Sequence, residues 1–199
     1  MIKLIDFPSG EPYKIFQKKL KQAEIRNQKN IDAIVISSLD KTNYEVNSRI
    51  VNLKYIKRDE WIFFSNYESP KSHEFNTHNQ ISVLLFWDSI NTQIRIKANI
   101  FRTNSEFSNT HFKGRQLEKN ALAISSHQSK EISDFSVVIE EFDETLKRIN
   151  QKTERPNYWG GFTFKPFYFE FWEGHEFRLN KRTAFEQKGE TWQKMFLQP

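Results

Sequence analysis

Four stretches of the chain place side chains that can hold an anion next to others that can hold a flat ring. The first is Ser48-Arg49-Ile50-Val51-Asn52-Leu53-Lys54. On a strand, Arg49, Val51 and Leu53 share one face while Asn52 and Lys54 share the other. A guanidinium among apolar strand neighbours suits a bidentate grip on a phosphate, although a surface ion pair would use the same residue. The second stretch, FFSNYESPK, brings the Ser65 hydroxyl, the amides of a helix start and the Lys71 ammonium into sequence proximity. A helix N-terminus favours anions, and an ordinary strand–helix connection would look the same. In the third, residues 125–133 (SSHQSKEIS), Gln128 and Ser129 could hydrogen-bond a phosphate or a ring oxygen; a helix cap at Ser129 with Ile132 packing is the plainer alternative. The fourth pairs PNYWGGF (156–162) with FEFWEGHEFRLNKR (169–182), where Trp172 precedes a turn at Gly174 and Arg178 and Arg182 lie four apart. A large aromatic beside two guanidiniums suits a planar, phosphorylated ligand, and an edge hairpin is the competing use.

Other chemistries lack their residues. There is no Cys, which removes disulfides, thiolate metal sites, iron–sulfur clusters and cysteine nucleophiles. The five His (His73, His78, His111, His127 and His175) form no HExxH and no metal-ligand spacing. Serine-hydrolase chemistry has no G-x-S-x-G elbow, and the six Gly form neither GxGxxG nor a P-loop. A phosphorylated cofactor would therefore be held by cations and hydroxyls. The 199 residues suit one domain; a net charge of +5 and a pI near 9.3 favour a phosphorylated ligand. Lys113, Arg115, Lys119 and Lys130 make a basic segment without an RNA-recognition aromatic motif, so no nucleic-acid partner is expected. The longest apolar run, 81–87, is too short for a membrane span, and the N-terminus carries no apolar signal segment; a cytoplasmic location is the expectation.

The elements that must position these groups can be read from periodicity. Residues 11–25 carry Tyr13, Phe16, Leu20 and Ala23 at helical spacing, with Lys14, Lys18 and Lys21 on other faces. Strands are predicted over 31–40, 44–56 and 60–66, joined by short turns as an antiparallel meander. Ser69-Pro70 marks a helix start, and strands follow over 81–87 and 92–103. A polar helical insertion spans about 105–150, with Phe142, Leu146 and Ile149 on one side. The aromatic strand after Pro156 contains Pro166, which calls for an edge position or a bulge. A last hairpin turns at Lys188-Gly189-Glu190. This order predicts a mainly β fold, a small antiparallel β-barrel with peripheral helices in one domain over 1–199.

Taken in order, SRIVNLK, FFSN…SPK, TQIRI, SHQS, YWGGF, EFWEGHEFRLNKR and TWQKMFLQP resemble the pyridoxamine 5′-phosphate oxidase family from about residue 12 to Pro199. Members of that family are FMN-dependent enzymes with a split-barrel fold. The resemblance implies a homodimer with FMN at the subunit interface. Arg49 and Lys71 would neutralise the FMN phosphate, and Ile50, Val51, Lys54, Phe64 and Ser65 would line the flavin. Gln93 would reach the ring edge, while Gln128, Ser129, Trp172 and Arg182 would come from the partner chain. The family holds a phosphorylated aromatic substrate with Lys, Tyr, Arg and Ser, which here read Lys54, His111, Arg115 and Lys119. Its catalytic Arg-Leu-His reads Arg178-Leu179-Asn180, and an Arg beside Lys71 reads Pro70. Asn180 cannot titrate, so only hydrogen bonding survives at that position. The implied activity is oxidation of pyridoxamine or pyridoxine 5′-phosphate to pyridoxal 5′-phosphate with O₂. The alternatives are a relative acting on another amine or acid, a flavin reductase, or a non-catalytic flavin-binding module.

Overall fold

In the computed structural model, which describes residues 2–199, the first long element is helix α1 (Glu11–Ile25), as its apolar spacing requires. Pro12 occupies the first turn, and Tyr13, Phe16, Leu20 and Ala23 are buried. Phe16 meets Trp61 edge-on at 4.6 Å between ring centroids and Trp87 at 5.6 Å, so α1 plugs the aromatic core of the sheet. Among the described residues, no helix is long and apolar enough to cross a membrane.

The strands are β1 (Lys3–Ile5), β2 (Ala33–Asp40), β3 (Glu45–Asn52), β4 (Tyr55–Lys57), β5 (Glu60–Asn66), β6 (Gln80–Trp87), β7 (Thr92–Arg102), β8 (Trp159–Glu173), β9 (Lys181–Lys188) and β10 (Thr191–Leu197). They form one ten-stranded sheet with the path β1-β4-β5-β8-β7-β6-β2-β3; β9 pairs with β8 and with β10. Every pairing is antiparallel except β1–β4. Alternation fixes the faces: Ile81, Val83, Leu85 and Trp87 of β6 and Ile94, Ile96, Ala98 and Ile100 of β7 point into the core.

The expected strand over 44–56 is two strands, and the meander it implied is absent. β3 ends one margin of the sheet path while β4 lies near the other. Between them, Leu53 N–H donates to Asp32 O (2.8 Å) and Lys54 N–H to Ile62 O (2.8 Å). Two consecutive amides thus reach opposite margins and curl the sheet into a barrel that is not fully hydrogen-bonded around.

Pro166 sits where β8 passes from one neighbour to the next: β5 pairs as far as Phe164 and β9 only from Tyr168, so Pro166 has a local edge on that side and a bulge against β7 on the other. The β7–β8 register shifts between Lys97 and Ala98: Lys97 faces Tyr168 while Ala98 faces Pro166, leaving Phe167 as the extra residue. The helices are α2 (Pro70–Thr77), α3 (Ser105–Lys113), α4 (Leu117–Ser125) and α5 (Ser136–Arg148). The 105–150 segment is therefore three helices, with residues 126–135 outside them.

Glu170 of β8 is 1 % exposed and accepts bonds from Arg95 Nη1 (2.9 Å), Arg182 Nε (2.8 Å) and the Tyr168 hydroxyl (3.1 Å). Burial alone would raise its pKa, but the bonds from Arg182 and Tyr168 and the charges of Arg95 and Arg182 hold it below the ordinary 4.5. Asp32 and Glu173, each bonded to a lysine, are lowered as well. A carboxylate whose folded pKa is depressed contributes stability that is present above its unfolded pKa and is lost as pH falls through the folded value. Urea midpoints measured against pH are therefore expected to hold down to about 4.5 and to fall progressively below it.

Candidate functional site

A cavity of about 650 Å³ opens between β3, β5, the start of α2, the α3–α4 pair and the loop after α4. Its wall includes Arg49, Ile50, Val51, Lys54, Phe64, Ser65 and Lys71, together with His111, Arg115, Lys119, Gln128 and Ser129. Five cationic side chains (Arg49, Lys54, Lys71, Arg115 and Lys119) and one carboxylate, Glu74, face this space. They divide into two corners.

The first corner is built by β3, the end of β5 and α2. Pro70 takes the first helical position, but Ser69 does not cap with its side chain; its hydroxyl donates to Asn66 O at 2.7 Å. Lys71, 8 % exposed, donates to Ser69 Oγ (3.0 Å) and Ser65 Oγ (3.3 Å), and among the described residues no carboxylate pairs with it. Burial, reinforced by the nearby Arg49 charge and partly offset by Glu74, lowers its pKa to about 8. Arg49 is tied down: Nη2 donates to Glu74 Oε2 at 2.8 Å, Nη1 donates to Ser38 Oγ, and Ser38 donates in turn to Glu74. Asn47 Nδ2 adds a bond to Glu74 Oε1 at 3.1 Å. The unspent cation of this corner is thus Lys71, at the positive end of a helix.

The second corner joins the seam residue Lys54 to α3 and α4. Lys54 Nζ is held by Asp32 at 2.8 Å. Arg115 lies over Trp159, its guanidinium carbon 4.3 Å from the ring centroid, with Nη1 donating to Asn120 Oδ1 (3.0 Å) and Nη2 to Lys119 O (2.9 Å). Burial lowers Arg115 to about 10, which leaves it cationic at neutral pH. His111 stacks on Phe64 (3.6 Å, 13°), and Phe64 lies nearly parallel to Trp159 (5.4 Å, 14°). Burial, then the charges of Arg115, Lys54 and Lys3, lowers His111 to about 4, so its imidazole is neutral.

Two glycines of YWGGF let β8 lie close behind this wall. Gly161 pairs with Phe64 and Gly160 with Ser65. A Cβ on Gly160 would collide with the Tyr67 hydroxyl, and one on Gly161 would stand 2.5 Å from Thr103 Oγ1. Ser129 has φ of +70°, outside the comfortable range for its residue type, and no helix is capped there. Ser65 Oγ donates to Gln128 Oε1 at 3.1 Å, which pins the 126–135 loop to β5. Gln128 and Ser129, expected from a partner chain, therefore line the cavity of their own chain.

The remaining expected residues lie outside this cavity. Gln93, Trp172 and Arg182 are direct neighbours in register across β7, β8 and β9, and Phe86 of β6, 54 % exposed, continues the same row. Paired residues share a sheet face, so this row looks outward. Arg182 is engaged by Glu170, as described above, and donates from Nη1 to Gln198 O at 2.8 Å. Arg178 (φ +59°) and Asn180 stand in the β8–β9 loop, where Asn180 Oδ1 accepts the His175 amide at 3.1 Å. One chain thus assembles Arg49, Lys71 and Gln128 in one place and Gln93, Trp172 and Arg182 in another.

Sequence reading did not single out Glu74, Asp32, Tyr55 or Trp159 as individual site residues. Glu74 had a weak local signal, lying three residues after Lys71 on one helix face; Asp32 and Tyr55 meet their partners only across the fold. The donor set fits a planar, phosphorylated ligand such as FMN: a buried ammonium and hydroxyls with no competing carboxylate on Lys71, beside an aromatic wall.

Comparison with known proteins gives a consistent picture. A family model described as the pyridoxine 5′-phosphate oxidase C-terminal dimerisation region matches residues 159–199. A Leptospira interrogans protein named pyridoxine/pyridoxamine 5′-phosphate oxidase is 30 % identical over 197 residues, covering 98 % of this chain and 92 % of its own. A Colwellia psychrerythraea protein of the same name is 32 % identical over 169 residues, 84 % of this chain and 77 % of its own. The crystal structure of PhzG from Burkholderia lata 383, in complex with tetrahydrophenazine-1-carboxylic acid, superposes with a TM-score of 0.89 at 25 % identity, over 96 % of this chain and 94 % of that one. A pyridoxamine 5′-phosphate oxidase-related, FMN-binding protein from Nostoc punctiforme PCC 73102 shares the fold, with a TM-score of 0.78 at 10 % identity over 96 % of this chain and all of that one.

Proposed function

The chain belongs to the pyridoxine/pyridoxamine 5′-phosphate oxidase family, and from that premise we propose that it is a cytoplasmic, homodimeric FMN-dependent oxidase converting pyridoxamine or pyridoxine 5′-phosphate to pyridoxal 5′-phosphate. The observation that carries this reading is the pair of separate cationic corners in one cavity. An enzyme that joins a phosphorylated flavin to a phosphorylated substrate needs two anion sites with an aromatic wall between them. When bound, FMN supplies the acceptor for a hydride from substrate C4′ and the route by which those electrons reach O₂, giving H₂O₂. Pyridoxamine 5′-phosphate additionally takes up water and releases ammonia.

The chain's own residues bind and orient. Lys71, with Arg49 held by Glu74, takes the flavin phosphate, and Ile50, Val51, Lys54, Phe64, Ser65, Gln128 and Ser129 line its ring and side chain. Arg115, Lys119, Lys54 and His111 take the substrate phosphate. A second copy supplies Gln93, Trp172 and Arg182, which a single chain leaves facing outward, together with Arg178 over the substrate ring. Ile50 of β3, 69 % exposed, and Phe86 are apolar surface for that copy to cover. Asn180 can accept or donate a hydrogen bond but holds no proton for transfer, so rate enhancement rests on juxtaposing the two rings.

A second reading, oxidation of a different aromatic acid, is favoured by the close superposition on PhzG and by His111, Lys119 and Asn180 at positions where the family pattern has Tyr, Ser and His. One experiment separates the two. The purified protein should show flavin absorbance near 450 nm, about the usual maximum of an oxidised flavin, and anaerobic pyridoxamine 5′-phosphate should bleach it. Bleaching by a dihydroaromatic carboxylic acid but not by pyridoxamine 5′-phosphate selects the second reading. Flavin that neither donor bleaches is the mark of a non-catalytic binding module, and a colourless protein that takes up no FMN overturns all three.

A further inference from the structure

We propose that Tyr55 is a positioning residue of the second corner: its hydroxyl donates to His111 Nδ1, which fixes the imidazole in the tautomer protonated at Nε2 and turns His111 into an uncharged N–H donor for the substrate anion. The inference rests on the reading that this cavity takes an anionic substrate.

Tyr55 opens β4 immediately after the seam residue Lys54, and His111 lies on α3. Their side chains meet edge-on, with ring centroids 5.4 Å apart and the phenol oxygen 2.9 Å from Nδ1. Phe107, one turn before His111 on α3, also meets Tyr55 edge-on at 5.1 Å and restrains its ring. Among the described residues, the Tyr55 hydroxyl bonds only to His111, and His111 Nε2 bonds to nothing.

The direction of this one hydrogen bond decides what His111 can do. A neutral imidazole carries one proton and one lone pair on its two nitrogens, so whatever occupies Nδ1 dictates Nε2. If Nδ1–H donated to the phenol oxygen, Nε2 would hold a lone pair and repel an anion. A phenol hydroxyl is a good donor and a poor acceptor, and an imidazole nitrogen is a good acceptor, so the favourable direction is from Tyr55 to His111. The charged form offers no escape. Burial and the charges of Arg115, Lys54 and Lys3 keep the ring neutral, and among the described residues no carboxylate bonds to it. The same cations raise the value of a correctly placed N–H, because an anion drawn by Arg115 and Lys119 meets a donor and not a lone pair.

The test uses the full-length, flavin-loaded protein labelled with ¹⁵N-histidine. Long-range ¹H–¹⁵N correlation distinguishes the two tautomers, and His111→Gln identifies the His111 signal by its disappearance. The expected wild-type pattern is a single tautomer protonated at Nε2, with Tyr55→Phe giving a mixture of both. A purely structural Tyr55 would leave the tautomer unchanged. A wild-type ring protonated at Nδ1, or the same Nε2–H tautomer in Tyr55→Phe, overturns the inference; the wild-type spectrum decides even if the variant does not fold.

Pyridoxal 5′-phosphate is then added as the probe. It should move the His111 Nε2–H signal, and its Kd should rise about three- to tenfold in Tyr55→Phe, the range for a single hydrogen bond. If the tautomer is as stated but pyridoxal 5′-phosphate moves no signal of the cavity, the substrate reading fails while the role of Tyr55 on His111 is supported.

Discussion

Replacing Lys71 with Met is expected to weaken FMN binding by about 10- to 100-fold, the equivalent of roughly 1.5–3 kcal/mol for a hydrogen bond to a charged group. Two features make this the sensitive position. Lys71 is buried and, among the described residues, hydrogen-bonds only to the Ser65 and Ser69 hydroxyls, with no carboxylate in direct contact, whereas Arg49 is already paired with Glu74. It also sits in the first turn of α2, where helix amides add to the field. Because burial holds its pKa near 8, the ammonium fraction of the flavin-free protein falls as pH rises through that value. FMN affinity should therefore decline between about pH 8 and 10, with bound phosphate delaying the decline by favouring the protonated form. Lys71→Arg should flatten the profile, since a guanidinium does not titrate there. Quenching of flavin fluorescence measures all three proteins. Riboflavin, which lacks the phosphate, is the control: if Lys71→Met weakens riboflavin as much as FMN, the residue does not hold the phosphate.

The second large effect is on stability. Glu170→Ala should cost about 3 kcal/mol, at the lower end of the usual 3–5 for removing one member of a buried pair. The lower end applies because Arg95 is 46 % exposed and can be rehydrated, while Arg182, at 25 %, is less free to do so. Glu170→Gln keeps the shape and part of the hydrogen bonding and should lose less. Equilibrium urea unfolding gives both values from the midpoint shift at constant slope. A loss below about 0.5 kcal/mol in Glu170→Ala would mean that the two guanidiniums are adequately solvated without their partner. The change should also disturb the Gln93–Trp172–Arg182 row, because Glu170 fixes the Arg182 guanidinium.

Local patterns carried much of the fold. Tyr13, Phe16, Leu20 and Ala23 placed α1, strict alternation placed β6 and β7, and Pro166 marked the bulge in β8. The exceptions have nonlocal causes. Val46, Ile50, Leu53 and Ile56 made 44–56 look continuous, but the break at Leu53-Lys54 comes from amides claimed by Asp32 and Ile62, which no window around residue 53 contains. β1 was missed because three residues carry no period and its partner, β4, runs parallel to it. At the candidate site, residue type and an ordered family resemblance singled out Arg49 and Lys71, which the fold brings into one cavity. Glu74, Asp32 and Tyr55 were not, since their meaning lies in pairings with Arg49, Lys54 and His111 made only after folding.

The two amides at the seam also tie assembly to occupancy. Leu53 and Lys54 act as a clasp, and the residue that makes one of its two links also puts its side chain into the pocket wall. A molecule that grips the wall must favour the shut form by mass action. Deuterium uptake at these two backbone positions should therefore slow when the protein is saturated, so that they act as built-in gauges of whether the barrel is loaded.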